Sequence, residues 1–123
     1  MESSDERPPV WTGHVVAYST DPERTAAFYE EIGMRPVAAF PDFAVLELRG
    51  GTHLVVRRTE HHVGSLLEWD LMVEDLAATH AAWEGAGHDV GSIERGPIHE
   101  TFTVRDPAGN SITVFSTHVV GPV

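Results

Sequence analysis

A chain of 123 residues with 41% hydrophobic and 22% charged residues is long enough to bury one core and ordinary enough in composition to be one globular domain. It contains no cysteine, which excludes disulfides and thiol nucleophiles. The net charge of −11, from 19 acidic and 8 basic residues, repels phosphate backbones and anionic lipid. Nucleic acid and membrane surfaces are therefore not expected partners, whereas cations are attracted.

Residues 1–12 read as a flexible tail and lead-in. The first nine are polar and end in Pro8-Pro9, with no apolar segment of the kind a signal peptide needs. No apolar run approaches the roughly 20 residues that cross a bilayer. A cytoplasmic, soluble protein is expected.

A first unit occupies residues 13–60. Residues 13–19 alternate as a strand does. Asp21-Pro22-Glu23 then starts a helix, because Asp caps free N–H groups, Pro is pre-set for the first turn and Glu complements the dipole. Phe28 and Ile32, four apart, mark its buried stripe, and Gly33 suits a left-handed stop. Strands are expected over 35–40, 43–49 and 52–57, with Pro41-Asp42 and Gly50-Gly51 as turns.

After a linker at 61–66 the order recurs over 67–118. A strand is expected at 67–73, and a helix capped by Asp75 and running to Ala86. Leu76, Thr79 or His80, Trp83 and Ala86 form its inner face, and Gly87 ends it. Strands near 91–94, 99–105 and 111–116 follow, with breaks at Pro97 and at Asp106-Pro107-Ala108-Gly109-Asn110. Asp21 and Asp75, Tyr29 and Trp83, and Gly33 and Gly87 are each 54 residues apart, whereas residues 51–56 match 109–114 at 58. The common register indicates duplication with a four-residue insertion.

Gly13-His14-Val15-Val16, Asp21-Pro22-Glu23-Arg24, Phe28-Tyr29, Val73-Glu74-Asp75-Leu76 and Val104-Arg105-Asp106-Pro107-Ala108-Gly109-Asn110 together resemble the vicinal oxygen chelate superfamily of glyoxalases, extradiol dioxygenases, fosfomycin-resistance enzymes and bleomycin-resistance proteins. The resemblance spans about residues 13–116. It implies an α+β fold in which two tandem βαβββ units form a curled mixed sheet around a U-shaped cleft, with helices outside. It also implies that metal-dependent members take ligands from the first and last strand of each unit. Those positions fall here on His14, Val55, Glu68 and Thr113. Valine cannot coordinate, and a threonine hydroxyl is a poor ligand for a divalent ion.

If His14 faces the cleft, strand alternation carries Val16 and Tyr18 with it, and Glu68 carries Asp70 and Met72. The same parity adds His53, Val55, Arg57, Thr113, Phe115 and Thr117. Phe43, Glu47, His99, Thr101 and Thr103 join by weaker inference. The opposite parity, Val15, Ala17, Leu54, Val56, Leu71, Val73, Ile112 and Val114, is small or apolar throughout and suits a core under two helices. The ligand-binding set expected is His14, Tyr18, Phe43, Glu47, His53, Glu68, Asp70, Met72, His99, Thr113 and Phe115. His61, His62, His80 and His88 read as solvated or structural, Trp69 and Trp83 as core, Trp11 as packing at a strand end or subunit contact, and His118 is given no role.

This mixed aromatic and acidic wall suits a flat conjugated molecule with a cationic or hydrogen-bond-donating rim. The resemblance then implies a binding protein of the bleomycin-resistance type, with no cofactor, that sequesters an aromatic or cationic drug or secondary metabolite in the cleft of a homodimer. The alternative is a metal-dependent glyoxalase-like or dioxygenase-like enzyme acting on a vicinal-oxygen substrate. One divalent ion would then be held by His14, Glu68 and either His53 or His99, with His53 able to stand in for the lost carboxylate from one pleat away. A metal-free enzyme with Glu68 or Asp70 as general base is a third reading.

Overall fold

Two ten-residue helices, each begun by an aspartate and followed by a left-handed glycine, organise the chain. The structure is a computed structural model that describes residues 5–123; the part of the expected tail at residues 1–4 lies outside them. Helix α1 (Pro22–Glu31) opens on Pro22, and Asp21 Oδ1 accepts from the Arg24 N–H at 3.3 Å. Helix α2 (Leu76–Gly85) repeats the device, Asp75 Oδ1 accepting from the Ala78 N–H at 2.9 Å. Gly33 (φ +123°) and Gly87 (φ +88°) supply the backbone that a side chain would strain. The first residues of the helices are 54 apart, as are the last, so duplication is as visible in the elements as in the residues.

In the first unit β1 (His14–Ser19), β2 (Arg35–Ala39), β3 (Phe43–Glu47) and β4 (His53–Arg58) form a sheet of order β1-β4-β3-β2. Strand β1 runs parallel to β4, and the other pairs are antiparallel. In the second, β5 (Leu71–Val73), β6 (Asp89–Val90), β7 (Glu94–Arg95), β8 (Glu100–Arg105) and β9 (Ser111–Ser116) give the order β5-β9-β8-β6, with β7 also on β8. Strand β5 is parallel to β9, matching β1 on β4. The fold is α+β, as expected, with mixed sheets that do not close into a barrel.

Alternation decides the two faces. Ala17, Leu54, Val56, Ile112 and Val114 are completely buried, as the opposite-parity expectation requires, and they join Ala44, Leu46, Phe102, Val104, Phe28 and Tyr29 in one core under the helices. Each fully buried branched or aromatic side chain contributes roughly 1.5–3 kcal/mol relative to exposure. The two helices are unequal. Helix α1 buries Pro22, Thr25, Ala26, Phe28 and Tyr29, whereas α2 buries Leu76 alone.

Three expectations are corrected. The strand over 67–73 is regular only at 71–73. Before it stands a single bridge from Leu66 to Ser111 and then a bend, because the Trp69 indole turns to donate to the Val16 carbonyl at 2.9 Å. The strand near 91–94 is instead the two short pieces β6 and β7; between them Gly91 keeps one bond to the Thr103 carbonyl and residues 92–93 leave the ladder. This is where the inserted residues fall: β6 begins 54 residues after β2, but β9 begins 58 after β4. Ala86 is exposed, so the inner face of α2 is Leu76, Thr79, His80 and Trp83. Trp11, read as packing at a strand end or a subunit contact, is 71% exposed within the single chain.

Candidate binding site

On the first sheet, the face away from the helices carries three rows of residues in register. His14, His53 and Glu47 make one row, Val16, Val55 and Val45 the next, and Tyr18, Arg57 and Phe43 the third. The first is polar and linked: His53 Nε2 lies 3.1 Å from Glu47 Oε2, and Arg35 reaches the other Glu47 oxygen at 3.4 Å. An ionised carboxylate only accepts, so in this pair the imidazole Nε2 is the donor. The His14 and His53 rings stand 5.9 Å apart. In the third row Arg57 lies between two aromatic residues, and Tyr18 (48%) and Phe43 (41%) are half exposed. Phe40 packs beside Phe43 at 5.2 Å.

On the second sheet Met72, Phe115 and Thr101 are in register, and Thr113 lies opposite Thr103. Phe115 sits within a small aromatic cluster. His118 is nearly parallel to it at 5.5 Å, His99 lies at 5.0 Å, and the two imidazoles stack on each other at 4.7 Å. His118 thus has a place that its position beyond the last strand did not reveal.

The two sheets meet along a seam, and a hollow of about 370 Å³ opens there. Its wall is Thr12, Val15, Leu48, Arg49, Thr52, Trp69, Asp70, Met72 and Phe115. Asp70, Met72 and Phe115 belong to the expected set. Tyr18, Phe43, Glu47, His14, His53, Glu68, His99 and Thr113 are not in this wall. Sequence reading missed Arg49, Leu48, Thr12 and Thr52. Leu48, Arg49 and Thr52, expected as strand ends, lie in and around the turn Arg49–Gly51, and Thr12 lies in the lead-in; Gly50-Gly51 did mark that turn. Trp69 was read as core, and it is indeed packed partly against the core while also lining the hollow. Arg49 pairs with Glu74 at 3.0 Å, both well exposed, whereas Asp70 has no hydrogen-bonding or ionic partner among the described residues.

The seam itself is built from buried polar groups. Asp106 Oδ2 accepts from the Tyr29 phenol at 2.7 Å and from the Asn110 amide at 2.9 Å, and Asp106 Oδ1 accepts from the N–H groups of Ala108 and Asn110. The Asn110 amide also donates to the Tyr18 carbonyl at 3.0 Å, and its Oδ1 accepts from His62 Nε2 at 2.7 Å. With both amide hydrogens so used, His62 has to be the donor. Burial first, then the Asp106 charge and its hydrogen bond, push the Tyr29 phenol far above its usual range, so it stays protonated. His80 Nε2 donates to the Gly91 carbonyl at 2.8 Å, since a carbonyl only accepts, and His88 packs on Phe28 at 5.2 Å. These histidines are structural, as expected for the set His62, His80 and His88.

The fit of a metal can be judged from the donors. Among the described residues no three or more His, Asp or Glu side chains are disposed to hold a metal ion. His14, His53 and Glu68 are therefore not gathered into the expected triad. The carboxylate beside His53 is Glu47, and Glu68 lies in the bend before β5. Among the described residues, this chain's own donors do not fit the divalent ion that metal-dependent relatives hold.

The match to known proteins agrees with this architecture. The glyoxalase-like domain family matches residues 14–115, and the chain belongs to it, within the vicinal oxygen chelate superfamily. No curated protein sequence matches significantly. Among solved structures, a lactoylglutathione lyase from Agrobacterium tumefaciens is similar at 20% identity and a TM-score of 0.74, covering 89% of this chain and 96% of its own. The bleomycin-binding protein of bleomycin-producing Streptomyces verticillus, seen with copper(II)-bleomycin, is 23% identical at a TM-score of 0.68, covering 91% and 100%. A member of the glyoxalase/bleomycin resistance protein/dioxygenase superfamily from Sphaerobacter thermophilus is 16% identical at 0.76, covering 88% and 98%. At these identities the likeness is one of fold. No helix is long and apolar enough to cross a membrane among the described residues.

Proposed function

We propose that this chain binds and sequesters a small aromatic or cationic molecule and does not transform it. The observation that carries this reading is the hollow at the seam. Trp69, Met72 and Phe115 offer flat or deformable apolar surface there, and Asp70 offers an unpaired carboxylate. The broken ligand set supports the same reading, since Val55 and Thr113 stand where metal-dependent relatives need carboxylates. Bleomycin-binding proteins of similar fold, solved with bleomycin or copper(II)-bleomycin, support it.

The reading includes a homodimer, in which a second copy covers the half-exposed Tyr18, Phe43 and Met72 together with the row of His14, His53 and Glu47. A cytoplasmic site of action goes with it.

Trp69 lines the hollow, so ligand entry is reported by tryptophan fluorescence. Titration with cationic and neutral polycyclic aromatics, copper-bleomycin among them, is expected to give saturable quenching for at least one compound. Phe115→Ala should weaken that binding about tenfold, the loss of one buried aromatic contact of roughly 1.5 kcal/mol. Absence of saturable quenching across the whole panel would overturn sequestration. So would near-stoichiometric Zn, Ni, Mn or Fe in the purified protein that is lost on His14→Ala, because it would restore the metal-enzyme alternative.

A further inference from the structure

The wall of the hollow contains one cation, Arg49, and one anion, Asp70, among otherwise neutral residues. In a chain with 19 acidic and 8 basic residues, a guanidinium at the mouth of an apolar hollow is not what composition alone would place there. Arg49 stands on the short turn Arg49–Gly51, in the first unit, and Asp70 just before β5, in the second, so the hollow presents opposite charges from its two halves. The apolar surface of Trp69, Met72, Phe115, Val15 and Leu48 completes the wall.

The two charges differ in availability. Asp70 has no partner among the described residues and needs a cation or donor to compensate any desolvation by a bound ligand. Arg49 is held by a single bond from one terminal nitrogen to Glu74, 3.0 Å long, with both side chains more than three quarters exposed. Such an exposed pair contributes little, typically below about 1 kcal/mol, so a ligand carboxylate can displace Glu74 or share the planar fork with it.

We propose that the hollow selects a small aromatic zwitterion, its ammonium or other cationic group directed to Asp70 and its carboxylate or other anionic group to Arg49. This deepens the sequestration reading and rests on it, because it names the ligand class of the same hollow. A singly charged molecule of the same shape satisfies one half of the wall and leaves the other facing it uncompensated.

The indole series separates these terms: tryptophan carries both charges, tryptamine the cation, indole-3-propionate the anion, and indole neither. Binding is read by calorimetry or by ligand-observed magnetic resonance, which the added indoles do not confound. Tryptophan is expected to bind roughly fivefold more tightly than either singly charged analogue, the scale of one partly screened pair. Arg49→Gln should erase its advantage over tryptamine and leave its advantage over indole-3-propionate. Asp70→Asn should do the reverse. Equal affinities of tryptophan, tryptamine and indole, unchanged in both variants, would overturn zwitterion selection while leaving aromatic sequestration standing. The same follows if none of the four binds but a polycyclic cation does. If neither the indoles nor the polycyclic panel binds, both proposals fall together.

Discussion

Tyr29 shows how much one side chain does in this fold. Its ring is completely buried against Phe28 and Trp69, while its hydroxyl reaches 77 residues along the chain to Asp106. Removing that hydroxyl as Tyr29→Phe keeps the packing but takes one donor from a buried carboxylate that retains Asn110 and two backbone N–H groups. A loss of about 1–2 kcal/mol in denaturant unfolding is expected. The phenol also makes stability depend on alkaline pH. Its ordinary value is 10.0, and the folded value lies well above it. The folded phenol thus keeps its proton where the unfolded one releases it. Stability is full below about pH 10 and falls above it, by at most about 1.4 kcal/mol per pH unit. All eight basic residues are arginine and there are two tyrosines, so no lysine titration confuses that window. Unfolding free energies between pH 9 and 11.5 should therefore decline in the wild type and stay nearly level in Tyr29→Phe; equal slopes would contradict the assignment.

At the scale of elements, the residues at 61–66 that read as a linker prove to be a docked strap. His62 bonds Asn110, the Ser65 carbonyl accepts from the Ser111 N–H, and Gly64 packs directly on the backbone of Gly109. A β-carbon on Gly64 would collide with the Gly109 carbonyl, a backbone atom that cannot swing aside as a side chain could. Gly64→Ala should cost more than about 2 kcal/mol in chemical denaturation, whereas Gly121→Ala, with open space around it, should cost almost nothing. An equal effect at the two sites would mean the strap is not docked. Helix starts and stops were legible beforehand because caps and glycines act locally: Asp21, Asp75, Gly33 and Gly87 each need only their own neighbours. The strand at 67–73 was over-read because the pull on Trp69 comes from the Val16 carbonyl, 53 residues away, and no local pattern carries it. Core parity was legible for a different reason. Period-two alternation is strict on a half-buried sheet, and duplication tested it twice, at Leu54 and Val56 and again at Ile112 and Val114. A third of the hollow was legible: Asp70, Met72 and Phe115 follow from alternation, but Arg49, Leu48, Thr12 and Thr52 are placed by the meeting of two units, and Val15 and Trp69 were read as core.

For the molecule as a whole, the question is what makes two similar units one body. No strand ladder of the main sheets passes from β1 to β5; the sheets remain separate. The seam is held instead by side chains reaching across: Tyr29 to Asp106, Asn110 to the Tyr18 carbonyl, Trp69 to the Val16 carbonyl, and His88 against Phe28 and 3.6 Å from Glu31. Asn110 is the centre of this set, fully buried and bonded to both units and to the strap. Its loss leaves Asp106 and the Tyr18 carbonyl each short of a donor, so Asn110→Ala should cost roughly 2–4 kcal/mol. The deficit should not fall evenly. Helix α1 buries five residues and α2 one, so the second unit has less of its own to hold it once the seam is weakened. Amide hydrogen exchange followed by mass spectrometry should show α2 and β8 losing protection in Asn110→Ala well before α1 and β4, whereas in the wild type the slowest amides of the two units open together. Parallel loss of protection in both helices of the variant would show that the units are joined by more than these side chains.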